Sequence, residues 1–191
     1  MIEIRQAGPA EDFAAISQIY VKSWQAAYAH FLPKAELAAL SGEDWRAALP
    51  QMLPCLLLAE EESKMVGVAG FGPAREADFA GWGEVVSLYL LPEVWRRGIG
   101  SLLLQAVQAA LQELGFSQQY LWVAAENRLA RSFYEKQGWF WQGDSLQEEV
   151  LGKPVQMLRY VFAPKETAAI SPNNKNLADN GGALCYTEED E

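Results

Sequence analysis

Residues 88–101 read Leu88-Tyr89-Leu90-Leu91-Pro92-Glu93-Val94-Trp95-Arg96-Arg97-Gly98-Ile99-Gly100-Ser101, and the fold turns on how they are read. An apolar run closes at Pro92, and two glycines follow within a short turn. The apolar positions then take helical spacing at Leu103, Val107, Ala110, Leu111 and Leu114, up to Gly115. The stretch is therefore a strand, a tight turn and a helix start. Glycine lets a backbone come close to a ligand, and the unbonded N–H groups of a first helical turn attract an anion. Arg96 and Arg97 add positive charge, so the turn suits a pyrophosphate; a plain turn carrying two solvated arginines is the competing reading. Two familiar phosphate loops are excluded. No glycine-lysine-serine/threonine P-loop occurs, and Leu103 stands where a dinucleotide fingerprint needs glycine.

Outward from this turn, the chain alternates strands and helices. Ile2 to Ala7 is expected as a strand, then a helix starting at Gly8-Pro9 with Phe13, Ile16, Ile19, Tyr20 and Trp24 on one face. Helical pieces are expected after Pro33 and around Trp45. Cys55 to Ala59 and Met65 to Phe71 form a hairpin pattern across the acidic turn 60–64, and Glu84 to Leu91 forms the strand before the glycine turn. Tyr120 to Ala124 reads as a buried strand and Asn127 as the N-cap of a helix from Arg128 to Gln137, with Gly138 beyond its end. Trp139 to Gln142 and Val155 to Phe162 read as a final antiparallel pair. This order implies an α/β (α+β) layer in which helices cover a mixed, largely antiparallel sheet. Residues 1–162 are one domain, and 163–191 an acidic tail containing asparagine and glycine. The tail is expected to dock on its own domain or on a second copy, which leaves a homodimer open.

Composition narrows the function. Fifteen Lys and Arg face twenty-five Asp and Glu among 191 residues, for a formal charge of -10 and a pI near 4.7. Nucleic-acid binding, which draws its affinity from basic side chains, is not expected. No apolar run is long enough to cross a bilayer, so no membrane association is expected and the cytoplasm is the expected location. Cys55 and Cys185 have no metal-ligand spacing, and His30 is the single histidine, so no metal site is expected.

A second constellation joins the glycine turn: Leu121-Trp122-Val123, Glu126-Asn127, Ala130-Arg131, Phe133-Tyr134-Glu135-Lys136 and Gly138-Trp139. Together the two resemble the GNAT superfamily of N-acetyltransferases over about residues 2 to 162. The family's Gln/Arg-x-x-Gly-x-Gly/Ala frame falls on Trp95-Arg96-Arg97-Gly98-Ile99-Gly100, departing at Trp95. Its Ala-x-x-Phe-Tyr-x-x-x-Gly-Phe/Trp pattern is met by Ala130, Phe133, Tyr134, Gly138 and Trp139. The resemblance implies central strands that splay apart, one through Leu88-Tyr89-Leu90 and one through Leu121 to Val123, with acetyl-CoA as co-substrate between them. Backbone groups of Leu88 and Leu90 would pair with pantetheine, amides of Arg96, Arg97, Gly98, Ile99, Gly100 and Ser101 would hold the pyrophosphate, and Asn127 would contact the pantetheine arm.

The implied reaction is direct attack of a primary amine, on a small molecule or a peptide, upon the thioester. Tyr134 would protonate the departing thiolate, since a phenol near the sulfur can serve as general acid; its alternative is a core aromatic. Glu84, opening the splayed strand, would take the amine's proton directly or through water, or else is a solvated strand end. Trp24, Tyr28 and His30 fall where the family places its acceptor groove, although Trp24 equally suits the core and His30 the surface. Trp139 and Trp141 alternate onto one face, as packing or as groove wall. A rival reading from another class is a catalytically silent acyl-CoA-binding or scaffold protein whose acidic tail recruits a partner.

Overall fold

Asp12 decides where the first helix begins. Its carboxylate accepts from the N–H of Ala15 at 3.0 Å and so satisfies one of the donors a helix leaves unpaired at its start. The helix therefore starts at Phe13 rather than at Pro9, and Glu11 turns back to bond Arg5 instead of entering the first turn.

The computed structural model describes residues 1–163; all but the first residue of the expected tail lies outside the described residues. The elements are β1 (Ile2–Gln6), α1 (Phe13–Ala27), α2 (Lys34–Ala39), α3 (Glu43–Ala48), β2 (Leu56–Glu61), β3 (Lys64–Pro73) and β4 (Gly83–Leu90). After the glycine turn come α4 (Ile99–Glu113), β5 (Gln119–Ala124), α5 (Arg128–Lys136), β6 (Phe140–Val150) and β7 (Lys153–Phe162). The strands form one seven-stranded sheet in the order β1-β2-β3-β4-β5-β7-β6, flanked by helices. Every neighbouring pair is antiparallel except β4 and β5.

That exception makes the cleft. Parallel β4 and β5 pair only at Gly83 with Gln119 and at Glu84 with Tyr120; past those positions the strands splay. Two packings hold the open shape. Along α4, Leu103, Leu104, Val107 and Leu111 are completely buried where the helix lies on β2, β3 and β4. Each such side chain stabilises the domain by about 1.5–3 kcal/mol. Against β3 and β4, α1 packs Ile16, Ile19 and Tyr20, and the Tyr20 hydroxyl meets Ser87 Oγ at 3.0 Å, which also accepts from the N–H of Gly70.

The last hairpin differs from the expectation. β6 runs to Val150, far beyond Gln142, and turns at Leu151-Gly152. Its residues are exposed along nearly the whole strand, so main-chain pairing with β7, rather than an alternating apolar face, makes it a strand. The expected shared face of Trp139 and Trp141 also fails. Trp139 precedes the strand and is buried beside Tyr134 and Phe162, whereas Trp141 is exposed and donates its indole N–H to the Asp144 carbonyl at 2.8 Å.

Candidate active site

Where β4 and β5 part, a cavity of about 1410 Å³ opens, lined by both strands, α1, α5, the glycine turn and β6. At one end lies the turn. Gly98 has φ 84° and caps α4 with no side-chain bond, and Arg96 also takes a positive φ of 61°. Among the described residues, the amides of Ile99 and Gly100 have no backbone acceptor, whereas Ser101 already donates to the Gly98 carbonyl at 3.1 Å. Ser101 thus offers the site a hydroxyl, bonded by Gln137 Nε2 at 3.1 Å, rather than a free amide. A Cβ at Gly100 would lie 3.1 Å from Leu90 Cδ1 and 3.4 Å from Phe133, so this glycine lets α4 approach β4 as well as a ligand.

The two arginines separate. Arg96 lines the cavity, but Arg97 pairs with Glu61 at 2.5 Å in a smaller hollow beside the β2–β3 turn. Trp95 has a role that the motif frame does not show: its indole N–H donates to the Leu90 carbonyl at 2.8 Å. Ser23 Oγ donates to the same carbonyl at 2.6 Å, so that oxygen is already occupied. The Leu91 N–H bonds Val66 on β3, and alternate residues of a strand share a direction. The backbone of Tyr89 therefore turns toward β3, and that of Leu88 and Leu90 toward the cleft. The ring of Tyr89 packs on Tyr20, at 4.8 Å between centroids, and lines the cavity from the other side.

Asn127 is buried at the start of α5, with Oδ1 accepting from the Ala130 N–H at 3.1 Å and its amide nitrogen unbonded among the described residues. One helical turn beyond Ala130, Tyr134 is 8% exposed and lines the cavity, and its hydroxyl makes no hydrogen bond among the described residues. Burial, and secondarily Tyr89, push its phenol well above the ordinary tyrosine range, so it stays protonated.

Glu84 is 2% exposed and is no solvated strand end. Arg75 Nη2 bonds Oε1 at 2.5 Å; Arg75 Nε, the Arg75 N–H and the Tyr120 hydroxyl bond Oε2 at 2.9, 3.2 and 2.9 Å. Burial and then Glu84 hold the Tyr120 phenol above its ordinary value. Nearby, Glu76 accepts from Trp122 Nε1 and from Arg159, whose guanidinium lies 3.9 Å over the Phe79 ring. Trp24 and Tyr28 line the cavity, but His30 does not. His30 is exposed, with Nε2 3.1 Å from the Glu126 carbonyl. The sequence reading missed Arg75, Tyr120 and Glu148 as cavity residues, and no motif marks them; Trp122 stood in the second constellation without a role of its own.

No helix among the described residues is long and apolar enough to cross a membrane. None of the described His, Cys, Asp and Glu residues gather in threes to hold a metal.

Comparison with known proteins agrees with this geometry. Residues 13–139 match the model of the Acetyltransferase (GNAT) family. The chain is 32% identical over 132 residues to the uncharacterized N-acetyltransferase YuaI of Bacillus subtilis (strain 168), covering 66% of this chain and 74% of that one. The fold is similar to the PaiA N-acetyltransferase of Thermoplasma acidophilum in complex with coenzyme A (TM-score 0.65, 23% identity, 83% of this chain and 98% of that one). It is also similar to YncA, a putative acetyltransferase of Salmonella typhimurium with acetyl-CoA (TM-score 0.61, 22% identity, 88% and 96%). The splayed strands and the family match over two thirds of the sequence lead to one conclusion: the chain belongs to the GNAT family of acetyltransferases.

Proposed function

We propose that this protein moves acetyl from acetyl-CoA to a primary amine by direct attack. One observation carries the reading: Gly100 with its unbonded amide at the head of α4, the splayed edge of β4 and Tyr134 all line a single cavity. Acetyl-CoA supplies the activated thioester. The residues present suit it, because the α4 N-terminus and Arg96 offer donors and positive charge to a pyrophosphate. The cleft-facing backbone of Leu88, the N–H of Leu90 and the Asn127 amide offer partners to the pantetheine arm. Tyr134 keeps its proton at neutral pH and delivers it from Oη to the sulfur as the thiolate leaves. Glu84 meets four donors from Arg75 and Tyr120, so it does not take the amine's proton directly. In this reading that proton leaves through water along the floor that Glu84 and Tyr120 form.

Incubation with acetyl-CoA and a panel of amines tests the proposal, reading free thiol and acetylated product by mass. CoA binding with no thiol release from any amine favours the silent scaffold instead.

A further inference from the structure

The acceptor end of the cavity has a composition of its own. Trp24, Tyr28 and Phe31 form a continuous aromatic wall, with ring centroids 4.9 Å apart from Trp24 to Tyr28 and 5.2 Å from Tyr28 to Phe31. Tyr89 lines the same end from β4. Glu148 also lines the cavity, from β6, where it is set opposite Val155 of β7. Val155 is buried among Trp24, Tyr28, Phe31 and their neighbours, which brings this part of the hairpin against the wall.

Glu148 makes no ion pair or hydrogen bond among the described residues. None of the cations that line or border the cavity pairs with Glu148 among the described residues. Arg75 is held by Glu84, Arg159 by Glu76 and Asp144, and Lys153 donates to the Phe31 carbonyl, while Arg96 belongs to the glycine turn and Lys136 to the last turn of α5. Glu148 is thus an exposed carboxylate without an ion-pair partner beside aromatic faces, the two features that together bind an ammonium.

Its position relative to the reaction centre gives the inference its content. Glu148 is set opposite Val155, seven residues along β7 from Phe162, whose ring packs on Trp139 beside Tyr134. At about 3.3 Å per strand residue, Glu148 and Tyr134 belong to separate parts of the cavity wall. A cation at Glu148 is not the amine that attacks beside Tyr134 but a second charge farther along the same acceptor.

We propose that the acceptor is an aliphatic amine carrying a second positive charge, bound by Glu148 and the aromatic faces of Trp24, Tyr28 and Tyr89 while its other amine reaches the thioester. A neutral group at that end leaves Glu148 unpaired, so the site selects diamines over monoamines of equal length. This rests on the acetyl-transfer reading, which acetylation of either amine supports on its own; the preference between amines tests only the present proposal.

The experiment compares diaminobutane, butylamine and aminobutanol as acceptors for wild-type protein and Glu148→Gln. Wild type should favour diaminobutane in kcat/KM by about tenfold or more over both singly charged amines, and the ratio should fall toward one in Glu148→Gln. Calorimetric titration of diaminobutane into each protein saturated with CoA gives a readout apart from chemistry, and the variant should bind about tenfold more weakly. A ratio near one in wild type, or an equal ratio and equal diamine affinity in both proteins, overturns the proposal. If no amine is acetylated, the acetyl-transfer reading falls, and the titration alone decides for or against the cation site.

Discussion

The indole N–H of Trp95 and the hydroxyl of Ser23 converge on the one carbonyl of Leu90, at 2.8 and 2.6 Å. A residue of the glycine turn and a residue of α1 thus hold the same point at the end of β4, on the wall of the cavity. Trp95 occupies the position that the family frame gives to glutamine or arginine, and here it fastens the turn to the strand.

Trp95→Phe keeps an aromatic ring and removes this bond. Loss of one partly buried hydrogen bond costs about 1 kcal/mol. The melting temperature should fall slightly and CoA should bind several-fold more weakly, read by thermal melts and calorimetry. Unchanged affinity would show that the turn keeps its shape without the indole.

Tyr134→Phe removes one oxygen from a buried ring. CoA affinity should change little, and kcat should drop roughly 10²-fold, the scale of one general acid, with KM for the amine nearly unchanged. Steady-state kinetics on a good acceptor decide it. Near-normal kcat would return Tyr134 to the role of core aromatic.

Burial raises the phenols of Tyr28, Tyr89, Tyr120 and Tyr134 in the folded protein. The unfolded chain loses these protons near pH 10, while the folded chain still holds them. Between those limits the unfolded state binds fewer protons, so stability falls as pH rises. It should be level below about pH 9 and decline above 10, with a shallower decline in Tyr89→Phe. Thermal melts across this range measure it, and a flat profile contradicts the buried-phenol picture.

The Arg75–Glu84 pair joins an exposed guanidinium to a buried carboxylate. Arg75→Met leaves Glu84 with Tyr120 as its remaining side-chain donor and should destabilise by about 1–3 kcal/mol. Adding Glu84→Gln should recover part of that loss, because a neutral amide is less costly to bury than a carboxylate. A double-mutant cycle in urea gives the coupling, and additive effects would mean the pair is merely adjacent.

Arg96→Ala should weaken CoA binding more than Arg97→Ala does, since only Arg96 lines the main cavity while Arg97 is paired with Glu61. Equal losses, measured by calorimetry, would mean that the Glu61 pair opens when the ligand arrives.

Local chemistry made much of this protein legible from its sequence. The strand, glycine turn and helix at 84–113, the Asn127 cap and the helix carrying Tyr134 rest on residues close in the chain, where proline, glycine and apolar spacing act directly. Membership of the GNAT family follows from the same two stretches. What depended on distant residues was not legible. The start of α1 was set by the Asp12 cap over Pro9, and β6 became a long strand through pairing with β7 although its residues are polar. Glu84 read as a base for the amine's proton or as a strand end open to water, until Arg75 and Tyr120 closed on it, and Glu148, in a polar run without a motif, became a cavity residue through the register that sets it opposite Val155. Hydrogen-bond partners and burial across a sheet are properties of pairing between segments, and no local pattern encodes which carboxylate ends neutralised and which faces a ligand.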